Sequence, residues 1–197
     1  MAVIYLIRHA QTVDNLSKKF SGYTDCKLSR LGYSQIEKLS IAIKNINVDK
    51  IYTSPLERAR LTSKAFDKEA LDCSGLREMN FGDFEEMTFQ EIQYLNPIET
   101  SKLFSEGYEY KFPRGESLVA FHERVKSCFY NIINESVDNE IAIVAHSGTI
   151  RCILSELIGK SYAYHWNFQV DNCSITKVTY TEGFGVINYL NDTSHLR

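Results

Sequence analysis

Ala2-Val3-Ile4-Tyr5-Leu6-Ile7-Arg8-His9 opens the chain with six apolar or aromatic residues and then turns at once to charge. The run Ala2–Ile7 does not alternate with polar residues. That is the pattern of a strand buried on both faces of a parallel sheet. Arg8 and His9 then stand where the strand ends, and open α/β sheets bind their ligands beyond the carboxyl ends of strands. The pattern recurs. Ile141–Ala145 is a second apolar run, followed by His146 and a helical stretch with Ile150, Ile153, Leu154, Leu157 and Ile158 on one side. Lys50–Thr53 reads as a further strand, followed by Ser54 as a helix cap, Pro55 in the first turn and Arg58 on a helix ending near Phe66. Three such strand ends bring Arg8, His9, Arg58 and His146 to one rim, where helix N-termini also offer free N–H groups to an anion.

The remaining segments keep strands and helices in alternation. Residues 30–46 read as an amphipathic helix through Leu39, Ala42, Ile43 and Ile46. Residues 71–86 carry Gly75 and Gly82 and show no period. Thr88 with Glu91 forms a capping box for a short helix that ends near Leu95, and Asn96-Pro97 breaks it. Residues 97–116 are mixed and aromatic, and the segment at about 80–116 is expected to be a lid or insertion. Ser117 caps a helix whose face is Leu118, Phe121, Val125, Cys128, Phe129 and Ile132. Residues 174–180 and 185–190 alternate like strands around a Glu182-Gly183 turn, and the last residues are expected to fray. The expected fold is a single α/β domain over residues 1–197, a three-layer α/β/α sandwich with a mainly parallel central sheet.

Composition narrows the function classes. A chain of 197 residues with 44% hydrophobic and 24% charged residues can bury a full core. The net charge of −3 gives no broad basic field, so neither nucleic acid nor a membrane surface is an expected partner. No stretch approaches a membrane span in length, and the apolar start is too short for a signal segment. The five cysteines lack CxxC spacing, which fits free thiols and a cytoplasmic location. No histidine pair has metal-ligand spacing, so no metal site is expected. His122 and His165 are expected to be structural or surface residues. A homodimer is left open.

The rim residues suit phosphoryl transfer. The reaction needs a nucleophile, cations around the equatorial oxygens and an acid for the leaving oxygen. An imidazole can be the nucleophile and split one hard step into two. Arginine stays charged and matches phosphate geometry. A carboxylic acid can protonate the leaving alkoxide.

Leu6-Ile7-Arg8-His9-Ala10-Gln11-Thr12 resembles the RHG signature of the histidine phosphatase superfamily, also called phosphoglycerate-mutase-like, with Ala10 in place of Gly. Four more motifs follow in the family's order. Ser21-Gly22-Tyr23-Thr24-Asp25 with Leu28 and Leu31-Gly32 is similar to GWxDxxLxxxG, with Tyr23 for Trp. Thr53-Ser54-Pro55-Leu56-Glu57-Arg58-Ala59 is similar to SPLxRA. Leu76 to Glu85 is similar to LxExxFGxxE, with Glu86 where the family has Gly. His146-Ser147-Gly148-Thr149-Ile150-Arg151 is similar to HGGxIR. The resemblance implies His9 as nucleophile, Arg8, Arg58 and His146 as phosphate holders and Glu78 as proton donor. It also implies Asn15, Ser21, Gly22 and Ser147 on the phosphate or substrate side. It implies no metal or organic cofactor and a small phosphorylated metabolite as partner.

The family contains phosphatases and mutases. Its glycolytic mutases carry an Arg-Arg pair in the insertion, whereas residues 97–116 hold only Lys111 and Arg114. Pro113-Arg114-Gly115-Glu116-Ser117 resembles the PxGES of the broad-specificity and α-ribazole phosphatases. A phosphatase is therefore expected over a phosphoglycerate mutase, with α-ribazole 5′-phosphate, of cobalamin assembly, as the first substrate to test. A non-catalytic module that binds phosphorylated ligands or proteins is the reading from another class. Such a module is expected to lack the nucleophile or the acid, and both residues are present.

Overall fold

The computed structural model describes residues 1–197. Six strands form one sheet: β1 (Ala2–Arg8), β2 (Lys50–Thr53), β3 (Ala70–Asp72), β4 (Glu140–Ala145), β5 (Ile175–Thr181) and β6 (Phe184–Asp192), in the order β3-β2-β4-β1-β5-β6. The first four are parallel, and β5 and β6 add an antiparallel hairpin beside β1. Seven helices accompany them: α1 (Val13–Ser17), α2 (Arg30–Ala42), α3 (Glu57–Ser63), α4 (Phe89–Leu95), α5 (Pro97–Glu106), α6 (Leu118–Asn134) and α7 (Ser147–Gly159).

The unbroken apolar runs have a direct structural cause. Ile4, Leu6, Ile141 and Ile143 point into a core shared with Phe121, Val125 and Phe129 of α6 and Ile150 and Ile153 of α7. The intervening Tyr5, Ile7, Ala142 and Val144 point into a second core with Leu39 of α2 and Ala59 of α3. Each central strand thus buries both faces, and the three-layer α/β/α sandwich follows.

Local readings shift in five places. Helix α2 ends at Ala42, with Ile43 as its C-cap, short of the expected residue 46. Helix α3 begins at Glu57 with Leu56 as a cap that uses no side chain, so Ser54 does not cap it. The Ser54 N–H donates instead to Val144 O at 3.0 Å, which keeps that residue on the sheet rim. Strand β3 is three residues at the sheet edge, too short and too exposed to show a period. Pro97 stops α4 and also occupies the first position of α5, where its missing N–H costs nothing. The C-terminus is not frayed: Ser194–Leu196 forms a 3₁₀ turn, Lys38 Nζ donates to Leu196 O at 2.8 Å, and Leu196 packs on the second core. No helix is long and apolar enough to cross a membrane.

Candidate active site

Parallel register builds the rim. Arg8 pairs with Ala145 and Thr53 with Val144, so the residues that follow, His9, Ser54 and His146, leave the sheet together. The His9 N–H donates to Ala145 O at 2.8 Å, and the His9 and His146 ring centroids lie 5.1 Å apart. Above them opens a cleft of about 370 Å³.

His9 is 4% exposed. Its Nδ1 lies 2.8 Å from Ala10 O. A carbonyl only accepts, so Nδ1 carries the proton and the Nε2 lone pair is left for the cleft that His9 lines. Burial, then the charges of Arg58 and Arg8, hold the imidazole well below the ordinary histidine range, so it is a neutral base. The loop that carries it is fixed by Thr62, whose hydroxyl accepts from Ala10 N at 2.9 Å and donates to Arg58 O at 2.7 Å.

Two guanidinium groups supply charge in different ways. Arg8 Nη1 donates to Val170 O at 2.6 Å, and its Nε is buried with no protein partner, a donor that fits an anion. Burial pushes this arginine down to about 10. Arg58, 1% exposed, commits its N–H groups to protein: Nε to His146 Nδ1 at 3.2 Å, Nη1 to Thr24 O at 2.9 Å, and Nη2 to Ser21 O at 3.0 Å and Gly22 O at 2.8 Å. It lines the cleft as a charge and pins the 21–24 loop that walls it.

His146 is fully buried. Because its Nδ1 accepts from Arg58, the proton of the neutral ring sits on Nε2, 2.7 Å from Ser54 Oγ. Burial, then the Arg58 charge, keep it far below the usual histidine value. Its contacts orient Arg58, and it does not itself line the cleft. Gly22 and Ser147 do not line it either, whereas Asn15, Ser21 and Glu78 do. Asn15 is placed by a capping box at α1: its Oδ1 accepts from Thr12 N at 3.1 Å and its own N–H donates to Thr12 Oγ1 at 3.2 Å. Glu78 Oε1 accepts from Met79 N and Oε2 from Gly148 N at the start of α7, both at 2.9 Å. The neighbouring carboxylates go elsewhere. Asp83 pairs with Arg114 at the surface, and Glu85 accepts from Tyr23 N at 2.7 Å, Thr24 N at 2.6 Å and the Thr24 hydroxyl.

The cleft also holds residues that the sequence reading passed over. Lys18 and Lys19 line it beyond α1, Phe20 and Phe81 form an aromatic side, and Asn172 closes the rim. Asn172 Nδ2 donates to His9 O at 3.1 Å and Asn15 Oδ1 at 3.0 Å. Its one signal in the sequence is its position just before a strand-like run. Arg124 braces the acid segment from α6: it pairs with Glu116 at 2.8 Å and donates to Gly75 O, Arg77 O and Glu78 O.

Away from the cleft, His122, Cys152 and His165 bring their ligand-type atoms within 4.8 Å of one another, a gathering that spacing along the chain does not reveal. The two rings bond to each other, Nε2 to Nδ1, at 2.9 Å. Burial pushes His122 down to about 4 and His165 to about 3, so both are neutral core groups.

Comparison with known proteins then settles the family. The model of the histidine phosphatase superfamily (branch 1) matches residues 4–193. The chain belongs to this superfamily. Phosphoserine phosphatase 1 of Hydrogenobacter thermophilus is 28% identical, over 100% of this chain and 95% of that protein. A crystal structure of phosphoserine phosphatase from Entamoeba histolytica in complex with phosphoserine is 30% identical, covers 100% of both chains and has a TM-score of 0.88. The α-ribazole phosphatase of Shigella flexneri is 26% identical, covers 96% of both chains and has a TM-score of 0.91. Proteins named as phosphoglycerate mutases are also among the relatives. This member of the superfamily therefore has proteins named as phosphatases and as mutases among its relatives, on one phosphoglycerate-mutase-like fold.

Proposed function

We propose that the chain is a phosphomonoesterase that hydrolyses a small phosphorylated metabolite through a phosphohistidine on His9, without a metal. The observation that carries this reading is the His9 tautomer. Nδ1 is tied to a carbonyl and Nε2 is left as a neutral nucleophile in a cleft with Arg8 and Arg58. In the first step Nε2 attacks phosphorus, the P–O ester bond breaks, and Glu78 gives a proton to the leaving oxygen. In the second, water attacks the phosphohistidine and gives its proton to the Glu78 carboxylate, the P–N bond breaks, and phosphate leaves with His9 and Glu78 both restored. Positive charge from Arg8 and Arg58 offsets the charge on the phosphoryl oxygens throughout. Asn15 and Ser21 fit the role of positioning the ester.

Hydrolysis is favoured over mutase transfer by the segment around α5. Mutase chemistry retains a carboxylate-bearing intermediate, and no arginine pair stands there. Arg114 is 84% exposed and paired with Asp83. α-Ribazole 5′-phosphate and phosphoserine, the substrates named for the relatives, are the first two metabolites to test. Turnover of p-nitrophenyl phosphate by the wild type and its loss in His9→Ala is the expected result; equal rates in the two proteins refute the reading. Rapid interconversion of 3- and 2-phosphoglycerate, given catalytic 2,3-bisphosphoglycerate, refutes the choice of phosphatase.

A further inference from the structure

We propose that a second, apolar cleft beside the phosphate site receives the leaving group, and that the natural ester carries an apolar group of aromatic size there. This deepens the phosphatase reading and rests on it. Phe20 and Phe81 line both clefts, and their rings meet edge to face with centroids 4.9 Å apart. The two spaces therefore adjoin at one aromatic edge. The second cleft is about 370 Å³, and every lining residue except Gly107 is hydrophobic. Its walls come from several separate segments, among them Met79 after Glu78, Phe89 on α4, Leu103 and Phe104 on α5, Leu118 at the start of α6, and Trp166.

The chemistry of this lining selects the ligand. An ester held by phosphorus at His9 must point its alcohol away from the histidine, toward either the lysine side or the aromatic side. No charged residue lines the aromatic side, and the Arg151 guanidinium that lies over the Trp166 ring, 5.4 Å from its centroid, is outside that lining. An ammonium or carboxylate placed there loses its hydration with no partner in return. A flat or branched apolar group gains burial. The mouth also leaves Phe104 72% and Trp166 64% exposed, large apolar surfaces that a bound group of this kind covers.

The test uses ligand pairs that differ only in a ring. Calorimetry of the wild type is expected to give a Kd about tenfold lower for 3-phenylpropylphosphonate than for propylphosphonate. The ratio of kcat/KM for 2-phenylethyl phosphate over ethyl phosphate is expected to favour the ring by about tenfold as well. Phe104→Ala and Trp166→Ala, both at exposed positions, should each cut these ratios several-fold. Equal Kd values for the two phosphonates overturn the proposal, as do ratios unchanged in both variants or a wild-type preference for phosphoserine over 2-phenylethyl phosphate. If the proposal fails but hydrolysis still requires His9, the phosphatase reading survives without the pocket. If the Kd ratio holds but no ester is hydrolysed, the ligand class stands and the phosphatase reading falls.

Discussion

A Cβ built on Gly148 would collide with Glu78 Oε1, so Glu78 and the start of α7 are in direct contact. Gly148→Ala is therefore expected to push Glu78 aside and mimic Glu78→Gln. Both variants should lower kcat on alkyl phosphates by about a hundredfold and on p-nitrophenyl phosphate far less, because only the poor leaving groups need the proton. Steady-state kinetics on the two substrate types checks this, and equal losses would show that Glu78 is not the acid. Glu86 offers a second case. It stands where the family has Gly, and its φ is +64°, the left-handed region that side chains resist. Glu86→Gly is expected to stabilise the fold by about 1 kcal/mol, read from urea unfolding. The departure at Glu86 was legible in the sequence, but the backbone angle that gives it a consequence was not. Arg8, His9 and Arg58 were legible because they sit at strand ends and a helix start, whereas Glu78 was legible only through the resemblance of its motif, since its loop has no period. Asn172 and the lysines were not, because they reach the cleft from turns that have no period.

At the scale of elements, strands read well because each central one buries both faces, while connections misled because one residue serves two elements. Ser54 is both the first residue beyond β2 and the hydroxyl beside His146, so its capping signature was a false one. Pro97 ends one helix and starts the next, so α5 was invisible behind α4. His122 on α6 bonds to His165 in the 3₁₀ segment Tyr162–Asn167 that follows α7, and burial holds the pair neutral. In the unfolded chain each ring takes up a proton near its ordinary value of about 6.5. Between that value and the folded ones, about 4 and about 3, the unfolded state binds more protons, so stability falls as pH falls. Each group contributes a slope of up to about 1.4 kcal/mol per pH unit in that window. Urea unfolding at pH 7.5 and pH 5 should show this loss, and the His122→Leu/His165→Leu double variant should show a shallower one. An unchanged slope in the double variant would place the acid sensitivity elsewhere.

The molecule as a whole buries four of its five histidines and half-buries His195: all five lie below the ordinary histidine range, with burial as the largest cause at each. Two consequences diverge with pH. Stability has to fall below about pH 6.5, because unfolding releases every ring to take up a proton. Activity does not have to fall there, because His9 is held unprotonated by its burial and by Arg58 and Arg8, so the nucleophile persists into mild acid. The expected result is a melting temperature that drops steadily from pH 7.5 to pH 5, while kcat/KM, corrected for the second ionisation of the substrate, shows no break near pH 6.5 at a temperature well below melting. A kcat/KM that halves near pH 6.5 along with the melting curve would mean that His9 titrates as a solvent-exposed imidazole. That result would contradict the closed, cationic setting in which the two strand ends place it.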